Sequence, residues 1–282
     1  MLESVVNISE GRDHDTIDTI GAAAGSALLD IHRDPDHHRS VFTLAALDPS
    51  TTERSVRALA AAALRHLDLR HHTGVHPRLG IIDVVPFIAF APSPPETAVG
   101  AARDFADWLA DTYRVPVFMY DQANVDARTL PTVRRTAFAS LVPDRGPGLP
   151  DPKWGATAVG ARAPMIAVNV ELDTDDVKLA QAIARRVRER DGGLAGVRAL
   201  GLALASRRTV QVSMNLIDLT ATSLEVACAA VRHLSEREST KVRRIELVGL
   251  LPAHEIARSS LAFLEWSGLD DSHTIEAHLP RS

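Results

Sequence analysis

The sequence predicts an α/β protein built from two similar halves, because the element order β-α-β-β-α-β occurs twice along its 282 residues. Alternating or continuous apolar runs predict the strands, and apolar positions three or four residues apart predict the helices. This order is that of the split-βαβ, ferredoxin-like arrangement. We therefore expect two ferredoxin-like βαββαβ subdomains, over residues 1–164 and 165–282, with a ligand cleft between them.

The first half begins with a strand and continues through two helices. Its predicted elements are, in order, a strand near 3–8, a helix near 13–25, strands near 27–32 and 39–47, a helix near 51–66 and a strand near 81–89. Ser50 with Glu53 predicts a capping box at the start of the second helix. A further helix near 95–112 and a strand near 115–120 follow.

The pattern returns after a segment rich in glycine and proline, residues 143–155, which predicts a long loop. Asp173 is the expected cap of the next helix, and Thr222 with Glu225 predicts a capping box for the one after it. A last helix is expected after Pro252. The predicted strands of this half lie near 165–170, 196–204, 208–217 and 242–250.

The composition excludes several classes of protein. A hydrophobic content of 45% is enough for a sizeable core, and a net charge of −5 gives no sign of a nucleic-acid or membrane-surface partner. The single cysteine, Cys228, excludes an intrachain disulfide framework. The sequence has neither a secretory signal nor an apolar run of membrane-spanning length. We therefore expect a soluble, cytoplasmic protein.

Three histidines and two arginines lie within nine residues, 70–78, directly before the apolar strand near 81–89. Gly74 and Pro77 prevent a regular helix there, so the charged residues lie on a loop attached to a buried strand. His76 is the leading catalytic candidate, because an imidazole held on such a loop accepts and returns a proton near neutral pH. The alternative is a surface or structurally bonded histidine.

A zinc site is the rival interpretation of the histidines. His72 and His76 are four residues apart, and His32, His37 and His38 offer further ligands. However, no glutamate follows His72, and the local sequence disfavours the helix that such a motif needs. We therefore expect no metal.

Other polar residues lie where strands begin or end. Arg39 is able to clamp a substrate carboxylate by two parallel hydrogen bonds, and His32 or Asp34 is able to tune a neighbouring imidazole, although a solvated charged turn is the alternative. Asn7 ends the first strand, where polar ligand contacts are common. Trp154, in a glycine-rich polar loop, is placed to stack on a planar ligand. Asn169 and Asn215 lie within apolar strands, either as satisfied core amides or reaching into the cleft.

Taken in order, these motifs resemble the glutamate formiminotransferase family over most of residues 1–252. The matching pieces are Val6–Arg12, Leu28–Asp30, His38–Val41, Gly74–Gly80 with Asp83–Phe87, Trp154–Arg162, Asn169, Gln211–Leu216 and Leu247–Leu250. The resemblance implies transfer of a formimino group from N-formimino-L-glutamate to tetrahydrofolate, in histidine breakdown. It also implies that His76 is the catalytic histidine of a His-Pro-Arg motif.

The resemblance assigns further roles to residues of this chain. It implies that folate, a co-substrate, lies in the groove between two subdomains and contacts the loop from Gly146 and Pro147 to Trp154 and Gly155. Arg39 and Arg78 are the candidates for binding the glutamate carboxylates. A homodimer is possible, and we expect no cyclodeaminase activity, because the chain ends before that domain.

One departure from the family pattern concerns His32. Animal members carry an acidic residue at this position, so its role is open, or Asp34 or Asp36 has taken it over. The alternatives to formimino transfer are formyl transfer from N-formylglutamate, a non-catalytic ferredoxin-like module that binds a small ligand, and a zinc hydrolase.

Overall fold

The computed structural model of the chain describes residues 1–73, 78–204 and 206–280. The chain divides into two compact units, Met1–Arg162 and Ala163–Ser282. Among the described residues, no helix has both the length and the apolar character that a bilayer span requires.

The first unit contains a mixed sheet in the strand order β2-β3-β1-β4-β6-β5. Its strands are β1 Leu2–Ile8, β2 Leu28–Asp34, β3 Arg39–Ala46, β4 Ile82–Ala89, β5 Val117–Asp121 and β6 Thr157–Ala161, and its helices are α1 His14–Ala22, α2 Pro49–His66, α3 Pro95–Tyr113 and α4 Leu130–Thr136. Strand β1 runs antiparallel to both β3 and β4, whereas β4, β6 and β5 are parallel.

The second unit contains an antiparallel sheet in the order β10-β7-β9-β8. Its strands are β7 Ile166–Leu172, β8 Val197–Leu204, β9 Thr209–Leu216 and β10 Val242–Val248, and its helices are α5 Val177–Val187, α6 Leu224–Arg237, α7 Ala253–Ala257, α8 Leu261–Ser267 and α9 Ile275–His278. The strand order matches that of β4-β1-β3-β2 in the first unit. The prediction of two ferredoxin-like α/β subdomains is therefore confirmed.

The first unit differs from the expectation in one strand. The sequence analysis predicts no strand over residues 157–161, but they form β6, a buried strand between β4 and β5. Three of the five residues are alanine or glycine, so the strand carries few of the β-branched and aromatic side chains that mark a strand in a sequence. A β-carbon on Gly160 would lie 2.6 Å from the ring of Tyr120, which explains a glycine in this strand.

Each sheet buries an apolar face against its helices. In β1, Leu2, Val6 and Ile8 belong to the core of the first unit. Because successive side chains of a strand point to opposite faces, Asn7 projects from the other face. In β7, Val168 and Val170 belong to the core of the second unit, so Asn169 projects from the face opposite its helices. The polar residues of these strands thus gather on the faces that the helices leave uncovered.

The helix starts differ from the predicted caps. Asp48, and not Ser50, caps α2, because Pro49 takes the first helical position. Asp176 caps α5 in place of Asp173. Ser223 caps α6, because the hydroxyl of the predicted cap, Thr222, donates to the Ala195 carbonyl at 2.7 Å. The last predicted helix is a series of three short helices, α7 to α9, after Pro252.

Candidate active site

The polar face of the first sheet carries a cluster at one end of β1, β3 and β4. Asn7 lies near the end of β1, and antiparallel pairing sets it beside Val41 of β3 and Val84 of β4. Arg39, at the start of β3, donates from Nε to Asn7 Oδ1 at 2.9 Å. Strand register therefore brings side chains distant in sequence to one place.

Asp83 is the centre of this cluster. Its side chain is only 2% exposed and accepts two hydrogen bonds from Arg134 of α4, at 2.6 and 3.2 Å. Arg39 Nη1 lies 3.6 Å from Asp83 Oδ2, and the backbone N–H of Leu79 donates to Oδ1 at 2.8 Å. A buried carboxylate needs such partners, since removing it from water without them costs several kcal/mol.

Positive charge predominates around Arg39. Burial lowers the pKa of Arg39 to about 10; the nearby cations Arg134 and Arg78 also lower it, whereas Asp83 and Asp34 raise it. Burial raises the pKa of Asp83, but Arg134 and Arg39 outweigh it, so the pKa lies below its ordinary value. Around Arg39, three guanidinium groups, its own included, therefore lie near two carboxylates.

A second layer of the cluster consists of His38, His72 and Arg78. The His38 and His72 rings stack at 4.0 Å with an interplanar angle of 27°, and His72 Nε2 donates to the His38 carbonyl at 2.9 Å. The Arg78 guanidinium contacts the His72 ring. His38 Nδ1 accepts from the Gly11 N–H at 3.1 Å, and burial lowers the pKa of His38.

The turn between β2 and β3 holds another histidine and its acid. His37 Nδ1 lies 2.6 Å from Asp34 Oδ2, and contacts with His37 lower the pKa of Asp34 against the opposing effect of burial. His32 lies on β2, paired with Val41. Asp34 is one of the two carboxylates proposed to replace the acidic residue that animal members carry at position 32. Its partner in the structure is His37.

His76 lies outside the described residues, together with Gly74 and Pro77. The segments on either side of it are attached to residues 153–156. Leu69 N–H donates to the Lys153 carbonyl at 2.8 Å, and Ala156 N–H donates to the Leu79 carbonyl at 3.0 Å. Leu69 and Leu79, on either side of this segment, therefore both have backbone partners within residues 153–156.

Trp154 has contacts that give it a structural role. Its indole N–H donates to the Leu64 carbonyl at 2.9 Å, and its ring packs edge-on against Tyr113 with centroids 6.1 Å apart. Stacking of Trp154 on a ligand stays a prediction.

Gly155 and Gly146 both adopt positive φ angles, 74° and 78°. A β-carbon on Gly155 would lie 2.3 Å from the Leu79 oxygen, and one on Gly146 would lie 2.9 Å from the Val115 oxygen. Pro147 is half-buried. Close backbone packing accounts for both glycines, and the folate contacts of this loop stay predictions.

Asn169 and Asn215 belong to the second unit. Asn169 is buried and donates to Glu246 Oε2 at 3.1 Å, whereas Asn215 is an exposed residue of β9. On the same face, buried Glu171 accepts from Arg244 at 2.7 Å and from Arg207 at 3.2 Å. The sequence-based substrate residues thus fall into two groups, with Asn7, His32, Arg39 and Arg78 in the first unit.

Sequence reasoning did not select Arg134 or Asp83 as site residues, and it considered His38 only as a possible zinc ligand. Asp83 and His38 lie within motifs that carried the resemblance, so a signal was present. Arg134 has no such signal in the sequence, because it lies on the short helix α4 and reaches Asp83 only through the tertiary fold. Within the described residues, no group of three His, Cys, Asp or Glu side chains is arranged to hold a metal ion.

Comparisons with known proteins show which family the chain belongs to. A family model described as the N-terminal subdomain of the formiminotransferase domain matches residues 1–162, and one described as the formiminotransferase domain matches residues 167–277. The chain belongs to the formiminotransferase domain family. The resemblance inferred from the sequence motifs is thereby confirmed.

Several relatives are similar over most or all of the chain. A glutamate formimidoyltransferase of Thermoplasma acidophilum is 32% identical over 299 aligned residues, covering 100% of this chain and 98% of that protein. A glutamate formimidoyltransferase of Streptococcus pyogenes is 32% identical over 295 aligned residues, covering 99% of this chain and 98% of that protein. The formimidoyltransferase-cyclodeaminase of Rattus norvegicus is 34% identical over 273, covering 89% of this chain and 50% of that protein.

Proposed function

We propose that this chain transfers a formimino group from N-formimino-L-glutamate to tetrahydrofolate, giving 5-formiminotetrahydrofolate and L-glutamate in histidine degradation. The observation that carries this proposal is the similarity over the full chain to two proteins named glutamate formimidoyltransferase. The arginine-rich cluster of the first unit supports it, because a dicarboxylate donor needs cationic partners.

In the proposed reaction, N5 of tetrahydrofolate attacks the formimino carbon and forms a tetrahedral intermediate. The bond from that carbon to the glutamate nitrogen then breaks, and the glutamate leaves as an amine. A base removes the N5 proton, and an acid protonates the leaving nitrogen. We assign both steps to His76, because one imidazole near neutral pH performs each in turn.

The described residues supply binding and charge. We assign the carboxylates of the donor to Arg39 and Arg78; Arg78 is close enough to Arg39 to lower its pKa. Asn7 fixes the Arg39 guanidinium through two contacts to its side-chain oxygen. Holding the two substrates together adds an entropic advantage to the proton transfer.

We infer a role in folate binding for Gly146, Pro147, Trp154 and Gly155, and in substrate contact for His32, Asn169 and Asn215. A cytoplasmic location and a homodimer complete the proposal. The composition supports the first, since a single buried thiol suits a reducing compartment.

The test compares two donors with tetrahydrofolate as acceptor. We expect release of L-glutamate from N-formimino-L-glutamate that depends on the folate, at a rate well above that from N-formyl-L-glutamate. Faster release from the formyl donor would reassign the reaction to formyl transfer. Tetrahydrofolate binding without release from either donor would indicate a binding module.

A further inference from the structure

Gln211, on β9, carries an unpaired hydrogen-bond donor inside the second unit. Its neighbours Val210 and Val212 belong to the apolar core, so the Gln211 side chain projects from the face of the sheet opposite the helices. Gln211 is only 1% exposed, and its amide nitrogen is buried without a hydrogen-bond partner among the described residues. The family resemblance includes Gln211 in a motif but assigns it no role.

The strands on either side of Gln211 explain why this nitrogen is unpaired. Glu171 of β7 lies directly opposite Gln211. The Glu171 carboxylate accepts hydrogen bonds at 2.8, 2.7 and 3.2 Å from other donors, which are Thr209, Arg244 and Arg207. On the other side of Gln211 lies Leu202 of β8, whose side chain offers no acceptor. A buried N–H without a partner costs free energy, so an acceptor on a ligand would bind favourably there.

The same face of the sheet offers further groups to a ligand. Ser213, the next residue of β9 on this face, is half-buried and lies opposite Asn169 of β7 and Leu200 of β8. Cross-strand partners share a face, so Leu200, which is 55% exposed, lies beside the Ser213 hydroxyl. A buried amide donor, a hydroxyl and an exposed apolar side chain are the usual components of a small-molecule site, where a few polar groups orient a ligand against an apolar wall.

The type of donor indicates which part of a ligand lies here. A carboxylate is bound most strongly by cations, and Arg207 and Arg244 on this side of the sheet already pair with Glu171. An uncharged amide N–H next to an apolar side chain suits instead the carbonyl oxygen of a ring. Of the two substrates in the proposed reaction, only tetrahydrofolate has such a ring, the pteridine with its carbonyl at C4.

We propose that Gln211 is a binding residue for tetrahydrofolate, with its side-chain N–H donating to the C4 carbonyl oxygen of the pteridine and with Leu200 packing against the ring. The inference rests on the proposed function and adds to it the part of the co-substrate that the second unit binds. Binding forms a hydrogen bond that the free protein lacks, and it forms at a buried atom, where such a bond is electrostatically stronger than in water.

The test uses Gln211→Met, which keeps the approximate length of the side chain and removes the N–H. We expect the Kd for tetrahydrofolate, measured by isothermal titration, to rise by about 10-fold, the scale of one lost hydrogen bond. The ligand-free variant should resist urea at least as well as the wild type, because it buries no unpaired donor. Gln181→Met, at an exposed position of α5, is the matched control and should change neither value.

Two fragments of the co-substrate identify the part that is bound. Gln211→Met should weaken the binding of 6-methyltetrahydropterin by the same factor as that of tetrahydrofolate, and it should leave the binding of p-aminobenzoyl-L-glutamate unchanged. Leu200→Ser should raise the Kd for the pterin by about 5-fold, the scale of a partly lost apolar contact. Because residue 200 is exposed, this variant carries the test even if Gln211→Met fails to fold.

Three results would overturn the inference while the wild-type protein transfers the formimino group. They are an unchanged Kd for tetrahydrofolate in folded Gln211→Met, an equal loss of affinity for the two fragments, and an unchanged Kd for the pterin in Leu200→Ser. A clear loss of stability in ligand-free Gln211→Met would also contradict it, because the amide would then serve the fold. A wild-type protein that binds no tetrahydrofolate would instead contradict the proposed function itself.

Discussion

Gly11 packs directly against the backbone of Arg39. A β-carbon on Gly11 would lie 2.4 Å from the Arg39 nitrogen and 2.2 Å from the Asp34 oxygen. The loop after β1 thereby closes onto the turn between β2 and β3, which carries His37 and His38. The position of Arg39 therefore depends on the absence of a side chain at residue 11.

Gly11→Ala should accordingly reduce both stability and donor affinity. Backbone atoms cannot move aside as a flexible side chain does, so the turn must shift, at a cost of about 1–3 kcal/mol, the usual range for overpacking. Urea denaturation and the KM for the donor measure the two effects. Gly100→Ala in α3 is the control, since a β-carbon there meets open space; it should stabilise the helix slightly. Equal free energies of unfolding and equal KM values in the two variants would contradict the packing argument.

His38 should make the protein less stable in mild acid. Its pKa is lower in the folded chain than its ordinary value of 6.5, chiefly because of burial. The unfolded chain therefore binds the proton more readily, so this contribution to stability is complete above pH 6.5 and is lost as the pH falls toward the folded pKa. The opposing attraction of Glu10 only reduces the shift.

His38→Asn should reduce the loss of unfolding free energy between pH 7.5 and pH 5.5. Asparagine tolerates the positive φ angle of 51° at this position. His66→Gln, on the exposed end of α2, should retain the full pH dependence. A pH dependence that persists in His38→Asn would assign the effect to other groups.

Trp154→Phe should separate packing from ligand stacking. Leu64 lies in the last turn of α2, where carbonyl groups lack partners within the helix, and the indole N–H supplies one. Loss of this hydrogen bond should lower the free energy of unfolding by about 1–2 kcal/mol. The KM for tetrahydrofolate should stay unchanged if the ring serves packing alone. A raised KM with unchanged stability would support stacking on the folate.

His76→Ala should lower kcat by at least ~10²-fold, the usual contribution of a general acid–base group. The melting temperature should stay within a few degrees, since the sequence predicts a loop at this position. His71→Ala, an exposed residue near the same segment, is the control and should retain activity. A nearly unchanged kcat in His76→Ala would remove this residue from the mechanism.

The sequence was sufficient to predict the two βαββαβ repeats. It was not sufficient to predict α4 and β6, which follow the first repeat. Alternation along β1 and β7 marks which residues face the helices, so the placement of Asn7 and Asn169 on the opposite faces follows from their positions. Strand β6 lacks that signal, because all five of its residues are buried and close packing against Tyr120 accounts for the glycine at position 160. The link from Arg134 to Asp83 spans 51 residues and depends on the fold alone.

Following the formimino carbon itself tests the central claim most directly. With N-formimino-L-glutamate labelled with ¹³C at that carbon, nuclear magnetic resonance should show the label on N5 of tetrahydrofolate, with one L-glutamate formed for each labelled folate. Label that leaves as a free one-carbon product, with the folate unchanged, would contradict the assignment of this chain as a transferase.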